Sequence, residues 1–254
     1  EGFQEVDFAA FFGPIAKWAA RIDSAERIPE YIARAYATAI SGRPGPVVLA
    51  LPEDMLSRDT AARPRPRVER PAQAPCPDAM QAMMALIADA AAPVAIIGGA
   101  GWNAKARAHF QLFAERLGIP VATAFRRQDA ISPTSAVYAG NLGYGPNPAL
   151  VERVKQADLI LAIGARLGEA TTDGYTVPPL TAPERKLVHV HPDANELNRV
   201  YPADLAICAS MDEFAESAAL WDDGDAIDFD AGAAAHAEWE DWATAHPNDH
   251  ALDM

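Results

Sequence analysis

The chain has 254 residues, half of them hydrophobic, which is enough for one large or two modest domains with a real core and excludes disorder for its bulk. A formal net charge of −14 argues against a nucleic-acid surface, because phosphate binding rests on Lys and Arg, so any anionic ligand needs a local site. Cys76 and Cys208 share no short spacing, which supports neither a disulfide framework nor a zinc cluster and makes a cytoplasmic setting the default, and no apolar run reaches the roughly 18 residues of a membrane span.

From the N-terminus, FAAFFGPIAKWAARI (8–22) and ERIPEYIARAYATAI (26–40) space their apolar residues as on one helix face and predict two helices, the second with Pro29 in its first turn. Gly42, Pro44, Gly45 and Pro46 break that pattern, and Val47 to Leu51 form a continuous apolar run suited to a parallel sheet covered on both faces. Such a strand reads as the last of its sheet, yet nothing upstream of Gly42 alternates or runs apolar long enough to supply the others. On this reading the sequence starts inside a domain, with residues 1–56 as its tail.

Residues 57–75 contain RPRPRVERPAQAP, in which proline alternates with charge, and read as a linker whose arginines form a solvated tether rather than a binding patch. Beyond it an α/β alternation begins. Helix DAMQAMMALIADA leads to strand PVAIIGG, helix AKARAHFQLFAERLG, strand IPVATAF, a long glycine-bearing loop, helix NPALVERVKQ and strand DLILAIG. Strands KLVHVHP and LAICA and helix MDEFAESAALW follow. Strands separated by helices imply right-handed crossovers, so residues 76–220 are expected to form a doubly wound parallel sheet of the Rossmann-like α/β class. Residues 221–254 read as an acidic linker and a helix carrying Trp239 and Trp242.

Four constellations could carry chemistry. In IIGGAGWNA, Gly99, Gly101 and Ala104 satisfy G-x-G-x-x-G/A after a strand and at a helix start, where a pyrophosphate can meet free N–H groups. The acid that a dinucleotide site places at the end of the next strand is missing, since that strand ends ATAFRRQ; Asp129 lies further on, and tight turn packing without a ligand is the competing reading. His189, His191 and Asp193 share a strand end and could ligate a metal, but the other histidines offer little, and a polar strand end without metal is preferred. DDGDAIDFD (222–230) has carboxylates without the order of a calcium loop. Arg166 beside Gly164 and Ala165, and Arg126 beside Arg127, stand at carboxyl ends of strands, where open α/β sheets hold ligands and an arginine can grip phosphate.

EGFQEVD, SGRPGPVVLALPEDM, the proline-rich linker, PVAIIGGAG, ADLILAIGARLGE and VHVHPDANELNRVYPADLAI, taken in this order, resemble thiamine-diphosphate enzymes of the acetolactate synthase type over nearly the whole chain. The resemblance implies the end of a pyrimidine-binding domain followed by a complete central domain, with 221–254 leading to a diphosphate-binding domain. It implies a homodimer or homotetramer, completed by catalytic domains outside this sequence, with no nucleic acid or membrane as partner. Phe3 and Gln4 match positions near the reacting carbons, the glutamine approaching them from the partner subunit. Thiamine diphosphate and magnesium are held in the family chiefly by residues that have no counterpart here; Asp223, Gly224 and Asp225 give the family's G-D-G motif in the wrong order. The chain alone is therefore expected to be inactive. Central domains of the family hold FAD, ADP or nothing. Gly98, Gly99, Gly164, Ala165 and Arg166 match the positions that contact a nucleotide, whereas His189 and Ala209 stand where acids are expected, and a weak or vacant site follows. Two other classes compete: a free-standing FAD-, ADP- or NAD-binding module similar to electron-transfer flavoproteins or sirtuins, and a metal hydrolase built on His189 and His191.

Overall fold

A computed structural model describes residues 6–179, 184–221 and 227–244 of the chain. Two compact units divide it, Glu1–Ala72 and Gln73–Met254. The boundary falls in the proline- and arginine-rich stretch, where proline rings withhold backbone donors and no regular structure forms.

In the first unit Asp7 caps helix α1 (Phe8–Phe12), its Oδ1 accepting from the Ala10 N–H at 3.0 Å. The helix stops at Gly13 and Pro14, and Trp18–Arg21 is a strand, β1. This corrects the expectation of one helix over 8–22 and of no strand before Gly42. The apolar spacing is helical on both sides of Gly13, but Pro14 cannot continue the ladder, and the bulky residues beyond it find a partner strand. That partner is β2 (Val47–Ala50), parallel to β1 with Trp18 opposite Val47 and Arg21 opposite Ala50. Between them run a short 3-10 turn (Ala25–Arg27) and helix α2 (Ile28–Ile40), with Pro29 in its first turn as expected. Helix α3 (Glu53–Leu56) follows β2. The buried core of this unit is small: Ile22, Ala25 and Met55, with Ile28, Tyr31 and Leu49 against them.

The second unit is a six-stranded parallel sheet built from β3 (Pro93–Ile97), β4 (Val121–Thr123), β5 (Tyr138–Asn141), β6 (Leu159–Ile163), β7 (Lys186–His191) and β8 (Leu205–Cys208). Their order is β5-β4-β3-β6-β7-β8, all pairs parallel. This is the doubly wound order that reverses direction between its first and fourth strands, so a crevice opens at the carboxyl ends of β3 and β6. One face is covered by α4 (Pro77–Asp89), α5 (Ala104–Leu117) and α7 (Met211–Ala219), whose Met83, Phe110, Phe113 and Phe214 are fully buried. The other face receives α6 (Pro148–Gln156) through Leu150 and Val154.

Strand β5 lies in what the sequence presents as a long loop. YAGN has little strand character, and its glycine is there for packing: Gly140 has φ +108°, and a Cβ on it would stand 3.0 Å from the Trp239 ring. That ring belongs to α8 (Ala231–Ala243), which packs on β5 with Trp239 edge-on to Tyr138 at 4.8 Å and the His236 Nδ1 hydrogen-bonded to the Tyr138 carbonyl at 2.9 Å. The segment entering α8 is stitched to the end of α5. The Phe229 N–H donates to Leu117 O at 2.9 Å and the Gly232 N–H to Gly118 O at 2.8 Å, and a side chain on Gly118 would run into the Phe229 carbonyl. Among the described residues no helix is long and apolar enough to cross a membrane.

Among the described residues, eight of the thirteen large hydrophobic residues that stand exposed, including Phe11, Ile15 and Tyr36, lie in the first unit, which is much the shorter. With so little buried apolar area it has the lower local stability. Hydrogen exchange read by mass spectrometry is expected to find the amides of β1 and β2 exchanging well before those of β3 and β6; equal protection in the two units would contradict this.

Candidate functional site

The topological switch point is built by two loops whose backbones touch. The Gly98 N–H donates to Ile163 O at 3.0 Å, and Ile97 and Gly164 form an antiparallel bridge just beyond the parallel ladder. A side chain on Gly99 (φ +71°) would run into the Gly164 carbonyl, and one on Gly164 (φ +70°) would lie 2.6 Å from Gly98 O. On Gly98 it would sit 2.6 Å from the Ala124 Cβ and 3.4 Å from that of Ala165. Four of the residues singled out in the sequence, Gly98, Gly99, Gly164 and Ala165, are thus brought together. Their small size is what lets the two loop backbones meet, since a Cβ on Gly99 would strike the Gly164 carbonyl.

Next along the crevice, the buried Trp102 indole donates to Gly98 O at 2.6 Å, and Asn103 caps α5 by accepting from the Ala106 N–H at 2.8 Å. Gly101, with φ +93°, makes the turn between them. The cap takes one of the free donors at the helix N-terminus that an anion would otherwise meet. Trp102 and Asn103 were not singled out in the sequence, although Asn directly before a helical run is a readable cap.

Arg166 follows Ala165. Its Nε donates to Glu196 Oε2 at 3.0 Å, and Arg199 reaches the same carboxylate at 3.2 and 3.3 Å. Glu196 is buried, with its side chain 6% exposed, and it sits in the loop after β7, thirty residues on, which is why the sequence did not pair it with Arg166. Arg166 stays 42% exposed. Arg126, exposed after β4, lies over the Phe125 ring at 5.0 Å with φ +64°. Asp129, the nearest acid past β4, is turned to Arg127 at 3.0 Å and Arg107 at 3.5 Å; the Arg127 hydrogen bond holds its carboxyl below the usual range. Phe3 and Gln4 lie outside the described residues, as does Asp223-Gly224-Asp225.

Non-glycine residues with positive φ are Arg126, Leu167, Asp173, Tyr175 and Asn198 among the described residues. All five sit in loops that leave the carboxyl ends of β4, β6 and β7. Such conformations cost about 1–3 kcal/mol each and concentrate where a fold positions a site. Their placement gathers these conformations at the edge of the sheet where the candidate site lies.

His189 and His191 point from β7 to the sheet face that holds Ala162 and Ala165. The His189 Nε2 donates to Ala165 O at 2.8 Å, while its buried Nδ1 has no hydrogen-bond partner; His191 accepts the Asp193 N–H at 3.0 Å on Nδ1. Their ring centroids are 6.2 Å apart, and no three His, Cys, Asp or Glu side chains gather as for a metal ion among the described residues. Burial lowers the pKa of both imidazoles, against a smaller pull upward from the carbonyls and Glu196.

The site offers an anion anchor in Arg166 and close backbone approach at Gly98–Gly101. It offers no carboxylate at the end of β4 for a ribose diol. The residues fit the phosphate part of a nucleotide and not its adenosine part. The described residues contain nothing that fits magnesium or thiamine diphosphate.

Two expectations follow. Gly99→Ala should destabilise the chain by at least about 2 kcal/mol in urea unfolding, because strain and overpacking add. Gly145→Ala, at φ +67° with open space around it, should cost only about 1 kcal/mol. Equal costs would mean that the loop contact does not matter. Burial lowers the pKa of both histidines in the folded chain, so below pH 6.5 the unfolded chain binds protons that the folded one refuses, and stability should fall as pH drops below 6.5. His189→Gln should blunt that slope; an unchanged slope in urea midpoints would rule out this origin.

A family model described as "Thiamine pyrophosphate enzyme, central domain" matches residues 80–217. The acetolactate synthase large subunit of Corynebacterium glutamicum is 29% identical over 217 residues, 84% of this chain and 34% of that protein. An acetolactate synthase of Mycobacterium bovis is 32% identical over 218 residues, covering 83% and 34%. A sulfoacetaldehyde acetyltransferase of Rhodobacter capsulatus is 32% identical over 211 residues, covering 82% and 35%. The chain spans about a third of the length of these relatives. With its glycine loops meeting at the switch point of a 3-2-1-4-5-6 sheet and the family's central domain matched across that sheet, the chain belongs to the thiamine pyrophosphate enzymes.

Proposed function

We propose that these residues form the middle part of a thiamine-diphosphate- and magnesium-dependent enzyme of the acetolactate synthase type, cytoplasmic and assembled as a homodimer or homotetramer. The whole enzyme decarboxylates a 2-keto acid or related acyl donor, or ligates its acyl unit to an acceptor, as a transferase or lyase. The cofactor supplies the electron sink for that chemistry, and the protein supplies geometry. The observation that carries the reading is the family match across the central sheet, joined by relatives whose names are acetolactate synthase and sulfoacetaldehyde acetyltransferase. Within it, residues 1–56 close a pyrimidine-binding domain, with Phe3 and Gln4 approaching the reacting carbons of a partner subunit, and 57–75 tether that domain to the central one.

The central domain's own part is to span the catalytic domains. Its crevice holds a nucleotide, FAD or ADP, only weakly, with Gly98, Gly99, Gly101, Arg126, Gly164, Ala165 and Arg166 toward the phosphates. Arg166 already faces Glu196, and no acid near β4 is left for the ribose, which supports the weak site over a tightly loaded one.

Two measurements test this. The full-length enzyme should release CO2 from pyruvate, the simplest 2-keto acid, only when thiamine diphosphate and magnesium are both present, and the 254-residue chain should not. Native mass spectrometry of the chain titrated with FAD, ADP and NAD should find substoichiometric binding that weakens further in Arg166→Ala. Retention of one equivalent would overturn the weak site and favour a nucleotide-binding module. Pyruvate turnover independent of the cofactor would overturn the enzyme class.

A further inference from the structure

The connection that leaves β6 crosses the crevice before it turns back toward β7. In the sheet order β3 stands between β4 and β6, so a residue of the β6 loop that touches the loop after β4 has to reach over the carboxyl end of β3, two strand spacings or roughly 10 Å. Thr171 makes this crossing: the Phe125 N–H, second past the end of β4, donates to its Oγ1 at 3.3 Å. The N–H of Ala124 is spent on Ile97 O at 2.8 Å, so Phe125 carries the first donor at this strand end that the sheet does not use. Phe125 is also fixed from its other side, where a Cβ on Gly143, in the loop after β5, would stand 2.8 Å from its ring.

The crossing segment is braced by its own hydrogen bonds. Gly168 O accepts the N–H groups of Thr171 and Thr172 at 3.0 and 3.1 Å, and the Gly174 N–H donates to Glu169 O at 3.0 Å. Thr172, fully buried, donates its hydroxyl to Gly168 O and accepts the Tyr175 N–H, both at 3.1 Å. Further on, the Tyr201 hydroxyl, from the connection between β7 and β8, donates to Pro178 O at 3.0 Å. Against these bonds the one from Phe125 to Thr171 is long, and it yields more readily than the segment itself unfolds. We infer that Gly168–Gly174 is a strap across the crevice, latched by Thr171 on the Phe125 N–H, and that the phosphates of a nucleotide compete with it for the glycine turn it crosses and for that donor. This rests on the reading of the crevice as a weak nucleotide site and gives the weakness a cause: the apparent affinity is the intrinsic one scaled by the fraction of chains with the strap open.

Titration of the 254-residue chain with ADP, together with the exchange rate of the Phe125 amide followed by NMR, tests this. Thr171→Ala should bind ADP at least about threefold more tightly than the unaltered chain, the factor by which loss of one neutral hydrogen bond favours the open strap. Thr171→Val, which keeps the shape of the side chain without its hydroxyl, should do the same and serves if the alanine variant fails to fold. Thr171→Ser, which keeps the hydroxyl, should bind as the unaltered chain does, and so should Thr176→Ala, whose hydroxyl donates to Asp173 O at 2.7 Å in the same loop. Without ligand, the Phe125 amide should exchange faster in Thr171→Ala than in the unaltered chain or Thr171→Ser. Equal exchange of that amide in all three would overturn the strap, as would weak ADP binding that Thr171→Ala leaves unchanged. A full equivalent of ADP held tightly by the unaltered chain would overturn the weak-site reading and the strap with it.

Discussion

The second unit depends on one contact: the backbone of the loop after β3 lying directly against the backbone of the loop after β6. A parallel sheet that winds outward in both directions from its middle has to bring two carboxyl ends side by side, and here they approach until only glycine fits at positions 98, 99 and 164. The N–H of Gly98 and that of Gly164 are spent on the next strands, on Ile163 and Val190, so the ladder extends past the strand ends proper. Everything that could bind at this edge is positioned from there: the cap and indole of the α5 entry on one side, Arg166 and the β7 loop on the other.

The electrostatics of the crevice are set by a carboxylate that the strands do not carry. Glu196 is buried between Arg166 and Arg199, and taking either partner away would leave a desolvated charge, the situation in which an ion pair matters most. Arg166, at the carboxyl end of β6, is therefore presented already paired with a carboxylate. The two imidazoles of β7 add a polar layer whose hydrogen bonds go to the backbone at Ala165 and Asp193.

Much of this was legible in the residues. The α/β alternation, the parallel sheet, the glycine-rich turn and the Gly-Ala-Arg stretch are local patterns, and local patterns survive folding when proline placement and apolar runs agree, as they do from Pro77 to Ile97. Three features were not legible, for separate physical reasons. Strand β1 hides behind a helix-like spacing that Gly13 and Pro14 interrupt without erasing. Strand β5 is set by its pairing with β4 and by Trp239, about a hundred residues away, packing over Gly140, neither of which its own four residues encode. Glu196 is invisible as a partner of Arg166 because thirty residues of loop and strand separate them, and no periodicity encodes an ion pair between loops.

The stitch between the ends of α5 and the start of α8 has a mechanical meaning. Gly118 and Gly232 meet with no room for a side chain, and two hydrogen bonds, from Phe229 to Leu117 and from Gly232 to Gly118, tie the chain down just before α8 begins. A pull exerted on α8 is therefore shared between that pair of bonds, at the corner between α5 and β4, and the seat of the helix on Tyr138 of β5. Both anchors lie at the amino ends of β4 and β5, so the helix is held at the edge of the sheet opposite the crevice.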